Sequence, residues 1–188
     1  MISCRDEYKR YLREDKIALN LNFSLLNWLT HDIWRYQRSL RLLEYYTNCK
    51  TGPLSKVFTK FLLLRHRGLG RKLGFSIPIN TFEYGLSIAH AGTIVVNSNA
   101  RVGPYCRIHV CVNIGADIKD GNLAPKLGSN CYIGPGVKIY GDIQIGDNVA
   151  MGANAVVNKS SSSNCTIAGV PAKKISDVGP IELRSVGR

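Results

Sequence analysis

From Leu127 to Val157 every sixth residue is apolar: Leu127, Ile133, Ile139, Ile145, Met151 and Val157. The residue after each is Gly128, Gly134, Tyr140, Gly146, Gly152 and Asn158, and the residue four on is Cys131, Val137, Ile143, Val149 and Ala155. An amphipathic helix repeats every 3.6 residues and a half-buried strand every two, so neither generates an unbroken period of six with a glycine phase. The pattern predicts a β-solenoid in which each hexapeptide is one short strand plus a corner. The apolar residue points into a narrow core, and the glycine relieves the corner because it lacks a Cβ and tolerates positive φ. Counting backwards, Ile114, Ile108, Val102 and Val96 keep the phase, whereas His90 and Tyr84 loosen it and predict a distorted first coil. Between Ile114 and Leu127 the count breaks over GADIKDGNLAPK, a polar stretch expected to leave the solenoid as a loop on its functional face. Beyond Val157, Ser160–Asn164 reads as a flexible corner, Thr166–Ile175 as the closing segment, and 176–188 as an aperiodic, partly disordered tail.

Ahead of the repeat the apolar spacing turns helical. A first helix is predicted over 4–18, with Ser3 and Asp6 as a capping pair and Tyr8, Tyr11 and Leu12 as its stripe. Residues 20–27 read as a connection. A second helix is predicted over 30–47 through Ile33, Tyr36, Leu40, Leu43 and Thr47, widened by Trp34 and stopped by Gly52-Pro53. A third, over 54–67, carries Val57, Phe58, Phe61, Leu62 and Leu64 among Lys56, Lys60, Arg65 and Arg67, with Gly68 and Gly70 closing it. Its apolar face is expected to pack on the other helices or the first coil, in preference to peripheral contact with a membrane. The expected organisation is an α-helical N-terminal domain over 1–74, a β-helix domain over 75–175 and the tail over 176–188.

Composition narrows the class. The 188 residues carry no apolar run of membrane-spanning length and no apolar signal core behind MISCRDEYKR. Cys4, Cys49, Cys106, Cys111, Cys131 and Cys165 form no CxxC pair, and read as reduced thiols of a cytoplasmic protein with no metal site. The net charge of +12 is uneven: residues 1–75 hold 15 Lys/Arg against 6 Asp/Glu, and the remainder 10 against 7. Without an RNP motif, a helix-turn-helix signal or an Arg-Gly run, that basic front end does not point to nucleic acid.

The hexapeptide series, the block GLSIAHAGTIVVNSNARVG (85–103), the off-period loop and the closing AGVPAKK (168–174) resemble the serine acetyltransferase branch of the left-handed β-helix acyltransferases. The resemblance covers about residues 75–175. It implies left-handed coils, a homotrimer, with a dimer of trimers left open, and acetyl-CoA in the groove between neighbouring solenoids. It also implies that His90 is the catalytic base. Moving an acetyl group from a thioester to an alcohol requires a base near neutrality to take the hydroxyl proton, and the resulting imidazolium can return it to the departing thiolate. His109, 19 residues on, is a second catalytic candidate that holds the acceptor, tunes His90 or simply lines the wall. His31 and His66 read as structural.

Backbone amides at the corners, Gly115 among them, are candidates for stabilising the oxyanion. By resemblance Pro135, Ala153, Ala168 and Gly169 line the pantetheine arm, and Lys173 and Lys174 meet the phosphates as point charges. Three positions depart from the branch. Phe75 and Ala89 stand where acids are expected near the base, and Ala124 stands where a histidine is expected to bind serine. Asp117, Asp120 and Lys126 remain in the loop as acceptor contacts. The departures lead to the expectation of a sugar hydroxyl of surface polysaccharide as acceptor. The alternatives are L-serine in cysteine biosynthesis and a non-catalytic trimeric scaffold. A zinc hydro-lyase of the same fold needs three histidines, and only His90 and His109 lie in the repeat region.

Overall fold

The six-residue period closes into coils with three flat walls. The computed structural model of the chain describes residues 1–21 and 30–180. Three helices, α1 (Arg5–Ala18), α2 (Asp32–Cys49) and α3 (Pro53–Leu73), precede the coils. Wall A stacks β1 (Phe75–Ser76), β3 (Ile94–Val96), β6 (Val112–Gly115), β9 (Lys138–Tyr140) and β12 (Val156–Val157). Wall B stacks β4 (Arg101–Val102), β7 (Lys126–Leu127) and β10 (Gln144–Ile145). Wall C stacks β2 (Ser87–Ile88), β5 (Arg107–Ile108), β8 (Tyr132–Ile133), β11 (Val149–Met151), β13 (Cys165–Ala168) and β14 (Lys173–Ser176). The named strand pairs are parallel except β13 with β14, which folds the end of the chain back antiparallel. The protein is a left-handed parallel β-helix with a helical front end.

Both apolar phases of the hexapeptide fill the core: the two series between Leu127 and Val157 are each no more than 6% exposed. Of the two reasons the sequence suggests for the glycine phase, the missing Cβ holds and positive φ does not. Positive φ falls instead on Asn130, Gly136, Gly141, Asn148, Asn154 and Asn164, outside that phase. The glycines are there because the next coil is too close for a side chain. A Cβ on Gly134 would lie 2.5 Å from the Met151 carbonyl oxygen, and one on Gly146 2.5 Å from the Ser163 amide nitrogen. Asparagine tolerates the left-handed turn better than most residues, and its amide bonds down the stack. Asn130 Nδ2 donates to Asn148 Oδ1 at 3.0 Å, and Asn148 Nδ2 to Asn164 Oδ1 at 2.8 Å. The Ser160–Asn164 corner, expected to be flexible, is tied in the same way. Ser160 Oγ accepts from the Gln144 amide and Ser163 Oγ from the Asp147 amide, both at 3.0 Å.

Ile139 pairs with Val157, 18 residues on, whereas Ile114 pairs with Ile139, 25 residues on. The loop after β6 therefore adds seven residues to one coil and leaves the stack above and below it in register. The first coil is longer by two, since Ile88 pairs with Ile108. Its core residues are Phe82, Leu86 and Ile88, so Tyr84 and His90 lie outside the core because the six-count runs two residues out of step there.

The helices are locked to this first coil by one buried cation. Arg41 of α2 is fully buried and donates to Asp15 of α1 at 2.8 Å, to Glu44 at 3.0 Å, and to the carbonyls of Phe82 and Glu83 at 2.8 Å each. Asp15 also accepts from the Leu86 amide and Glu44 from the Asn80 amide. Tyr36, Leu40 and Leu73 join the solenoid residues in one continuous apolar cluster. At the start of α1, Ser3 bonds Glu7 rather than Asp6, while the Glu7 amide donates to Cys4 Sγ. α3 runs on through Gly68 and Gly70 to a left-handed cap at Gly74. A Cβ on Gly70 would stand 2.6 Å from the Phe75 carbonyl oxygen, so this glycine serves close packing and not termination. The connection expected at 20–27 falls largely within 22–29, outside the described residues. The tail folds back as far as Pro180, with Thr166 Oγ1 donating to the Val178 carbonyl, and 181–188 lie outside the described residues.

His31 caps α2 by accepting from the Trp34 amide at 3.1 Å, and His66 stacks on Tyr36 with ring centroids 4.6 Å apart. Burial pushes His66 down to about 4, from 6.5 when free. The unfolded chain takes up this proton below about pH 6.5 and the folded chain only near pH 4, so stability is lost as pH falls through that window. Denaturant melts between pH 7 and 4 are expected to show His66 costing the wild type up to about 3 kcal/mol. His66→Phe should flatten that acid limb.

Candidate active site

The ladder fixes which residues share a corner. Ile88, Ile108, Ile133, Met151 and Ile167 align across wall C. One residue further on, at the turn from wall C to wall A, the register stacks Ala89, His109, Gly134, Gly152 and Ala168. The next residues are His90, Val110, Pro135, Ala153 and Gly169. Amide bonds confirm the continuation: Ala89 to Ile108, Gly136 to Val110 and Asn154 to Pro135, at 3.0, 2.9 and 2.8 Å. His90, His109, Pro135, Ala153, Ala168 and Gly169 thus lie along one edge of the prism.

At the helix-proximal end of this edge the two imidazoles stand 6.2 Å apart, centroid to centroid. His90 is exposed, and among the described residues nothing hydrogen-bonds its ring. His109 is half-buried and packs on Tyr132 at 5.0 Å, with its Nε2 buried and unpartnered among the described residues. Burial, then the positive charges of Arg107 and His90, lower the proton affinity of His109. A neutral His109 adds no repulsion to a proton gained by His90. Phe75 supplies no orienting acid: it is buried and packs edge-on against Tyr36 at 4.9 Å.

Sequence reasoning passed over Arg107 and Tyr132, which face outward on wall C beside His109. Arg107 Nη1 donates to Ser87 Oγ at 3.0 Å. Both residues become visible once the seven-residue loop is removed from the count, because Arg107 and Tyr132 are then partners on adjacent coils.

At the far end of the edge, β14 returns beside β13 and places Lys173 opposite Ala168 and Lys174 opposite Ile167. Lys174 is ion-paired with Asp177, whereas Lys173 is exposed and has no ion pair among the described residues. Among the described residues, Lys173 is thus the one of the two lysines left open to an anion.

The remaining candidates occupy a different edge. Gly115 ends β6 at the turn from wall A to wall B, opposite Tyr140, and Lys126 is exposed at the start of β7. Asp117 accepts from the amides of Lys119 and Asp120 at 2.7 and 3.3 Å, bonds that hold its carboxyl below the usual range. Asp120 accepts from the Asn122 amide at 2.9 Å. Both acids shape their own loop, and the width of wall A separates that loop from the histidines of the same chain. Among the described residues no group of three or more His, Cys, Asp or Glu side chains is placed to hold a metal ion.

Comparison with known proteins adds to this geometry. The profile of the family described as bacterial transferase hexapeptide (six repeats) matches residues 124–159. A serine acetyltransferase of Synechococcus elongatus is 40% identical over 92 residues, covering 48% of this chain but only 38% of that protein. One from Staphylococcus aureus is 25% identical over 180 residues, covering 93% of this chain and 78% of that one. The crystal structure of serine acetyltransferase from Brucella abortus superposes with a TM-score of 0.74 at 28% identity, covering 93% of this chain and 71% of that one. The same protein has also been solved with coenzyme A, where the TM-score is 0.73 at 27% identity.

Proposed function

We propose that this chain, a serine acetyltransferase-like hexapeptide-repeat acyltransferase, moves an acetyl group from acetyl-CoA to a hydroxyl acceptor with His90 as general base. The observation that carries the reading is the edge itself. An exposed imidazole stands at one end, Pro135 and Ala153 continue the same column beside Gly134 and Gly152, and Ala168, Gly169 and Lys173 close the other end. Small residues leave room for an extended pantetheine arm, and a free lysine at the end suits a phosphate. In the reaction His90 accepts the acceptor's hydroxyl proton as the oxygen attacks the thioester carbonyl. The tetrahedral oxyanion is held by backbone amides of the corner. Its collapse expels the thiolate, which recovers the proton from the His90 imidazolium.

The acceptor best supported is L-serine, because the relatives and neighbours described above are serine acetyltransferases. A saccharide acceptor rests only on Phe75, Ala89 and Ala124 standing where other side chains are expected, and no comparison supports it. Arg107 also supplies, beside His109, the cation that an amino-acid carboxylate requires. A homotrimer completes the proposal: it would set Asp117, Asp120 and Lys126 of one copy against the histidine edge of the next. The test is thiol release from acetyl-CoA with L-serine against nucleotide sugars and oligosaccharides. Serine should turn over at least about tenfold faster than every glycan, a difference of about 1.4 kcal/mol in the barrier. Faster turnover of any glycan would replace the serine reading with the saccharide one.

A further inference from the structure

The outward face of α3 is built unlike the rest of the surface. Leu54, Val57, Phe61 and Leu64 are 86%, 69%, 58% and 67% exposed, and Phe58 beside them is 41% exposed. They recur at helical spacing on one stripe, while Leu62, His66, Gly70 and Leu73 make the buried stripe. Of the five residues expected to pack inward, Leu62 alone does so, while Val57, Phe58, Phe61 and Leu64 face out. The helix has two apolar stripes, and one has no cover among the described residues.

The charges on the helix decide what would cover it. From Pro53 to Leu73 there are six Lys/Arg (Lys56, Lys60, Arg65, Arg67, Arg71 and Lys72) and no Asp or Glu. Among the described residues only Lys72 is ion-paired, with Asp32 at 3.2 Å. At 100° per residue, Lys56, Lys60, Arg67 and Arg71 form a row directly flanking the exposed apolar stripe. A second copy of this face would set six cations against six, on a chain whose net charge is already +12. A row of cations beside a row of Leu, Val and Phe suits an anionic lipid surface instead, with the apolar side chains in the acyl boundary and the Lys and Arg stems reaching the headgroups. Leu64, Arg67 and Arg71 also border a cleft of about 850 Å³ between α3 and Ile77–Ile79, so the apolar surface extends beyond the helix itself.

We propose that α3 is an in-plane membrane anchor that docks the protein on bilayers rich in anionic phospholipid. The proposal is independent of the acetyl-transfer reading, because none of these residues lies on the histidine edge. The test is co-sedimentation of the full chain with vesicles of phosphatidylglycerol and phosphatidylcholine, against vesicles of phosphatidylcholine alone. Binding is expected to favour the anionic vesicles by at least about tenfold and to weaken about fivefold for each of Lys56→Gln and Lys60→Gln. The double variant Phe61→Ser/Leu64→Ser should lose the binding that survives about 0.5 M salt, where the charge contribution is screened. Acetyl transfer to a free acceptor should be unchanged in all three variants. Failure of the wild type to bind anionic vesicles, or equal binding to both compositions, overturns the proposal. So does a drop in assembly mass for Phe61→Ser/Leu64→Ser in sedimentation equilibrium, which would show that a second copy covers the face.

Discussion

Replacing His90 by alanine is expected to lower acetyl transfer about 10²–10⁴-fold, the range that a positioned general base supplies. The loss should fall on kcat, because the proton moves only in the transition state, while KM for acetyl-CoA stays near the wild-type value. The fold should survive, since His90 is an exposed corner residue with no hydrogen bond among the described residues to lose. His109→Ala should cost less and act differently. Its half-buried ring packs on Tyr132 and faces His90, so removing it frees His90 to swing. A pH–rate profile separates the two. His109→Ala should lower the plateau rate and keep the base limb, whereas His90→Ala should lose the limb. Unchanged turnover in His90→Ala would remove this edge as the reaction site.

The regular coils are legible in sequence because a narrow core admits only the residue that points inward, so the period survives in every hexapeptide from Leu127 to Val157. The ejected loop is legible for the same reason: its seven residues interrupt a count that resumes unchanged. The first coil is not. Two extra residues between Ile88 and Ile108 shift the core position from His90 to Ile88, and a period read from later coils cannot register an insertion at its own start. The end of α3 is misread because Gly70 carries two meanings. It is a breaker by propensity, but the carbonyl of Phe75 approaches so closely that no other residue fits inside that helix.

The candidate site divides along similar lines. His90, Pro135, Ala153 and Gly169 are selected by resemblance as separate residues, and only the strand register shows that they form one column. Arg107 and Tyr132 need the register across the loop, which no local window contains. The uncovered stripe of α3 is invisible for a different reason. Helical spacing shows that a residue lies on a face, but not whether the chain has enough partners to cover it.

Substituting Arg41 by alanine is expected to cost about 3–5 kcal/mol of stability, the toll of leaving buried charges without their counter-ion. The guanidinium has no exposed surface and serves two carboxylates and two carbonyls at once. Burial alone would depress its proton affinity, but Asp15 and Glu44 outweigh that and hold it above the ordinary value. Arg41→Lys should recover only part of the loss, because a single ammonium cannot present the planar fork. Burial already raises Glu44, and without the cation it would rise further, so the folded variant binds a proton that the unfolded chain does not. Stability of Arg41→Ala relative to wild type should therefore improve as pH falls towards the ordinary carboxylate range. Denaturant midpoints measured across that range check both sign and size, and a loss under about 1 kcal/mol would mean that the network is dispensable. The consequence reaches the reaction as well. Phe82 and Glu83, whose carbonyls Arg41 holds, lead directly into the coil that carries His90. In any Arg41→Ala protein that still folds, acetyl transfer should fall through misplacement of the base, with the vesicle binding of α3 left intact.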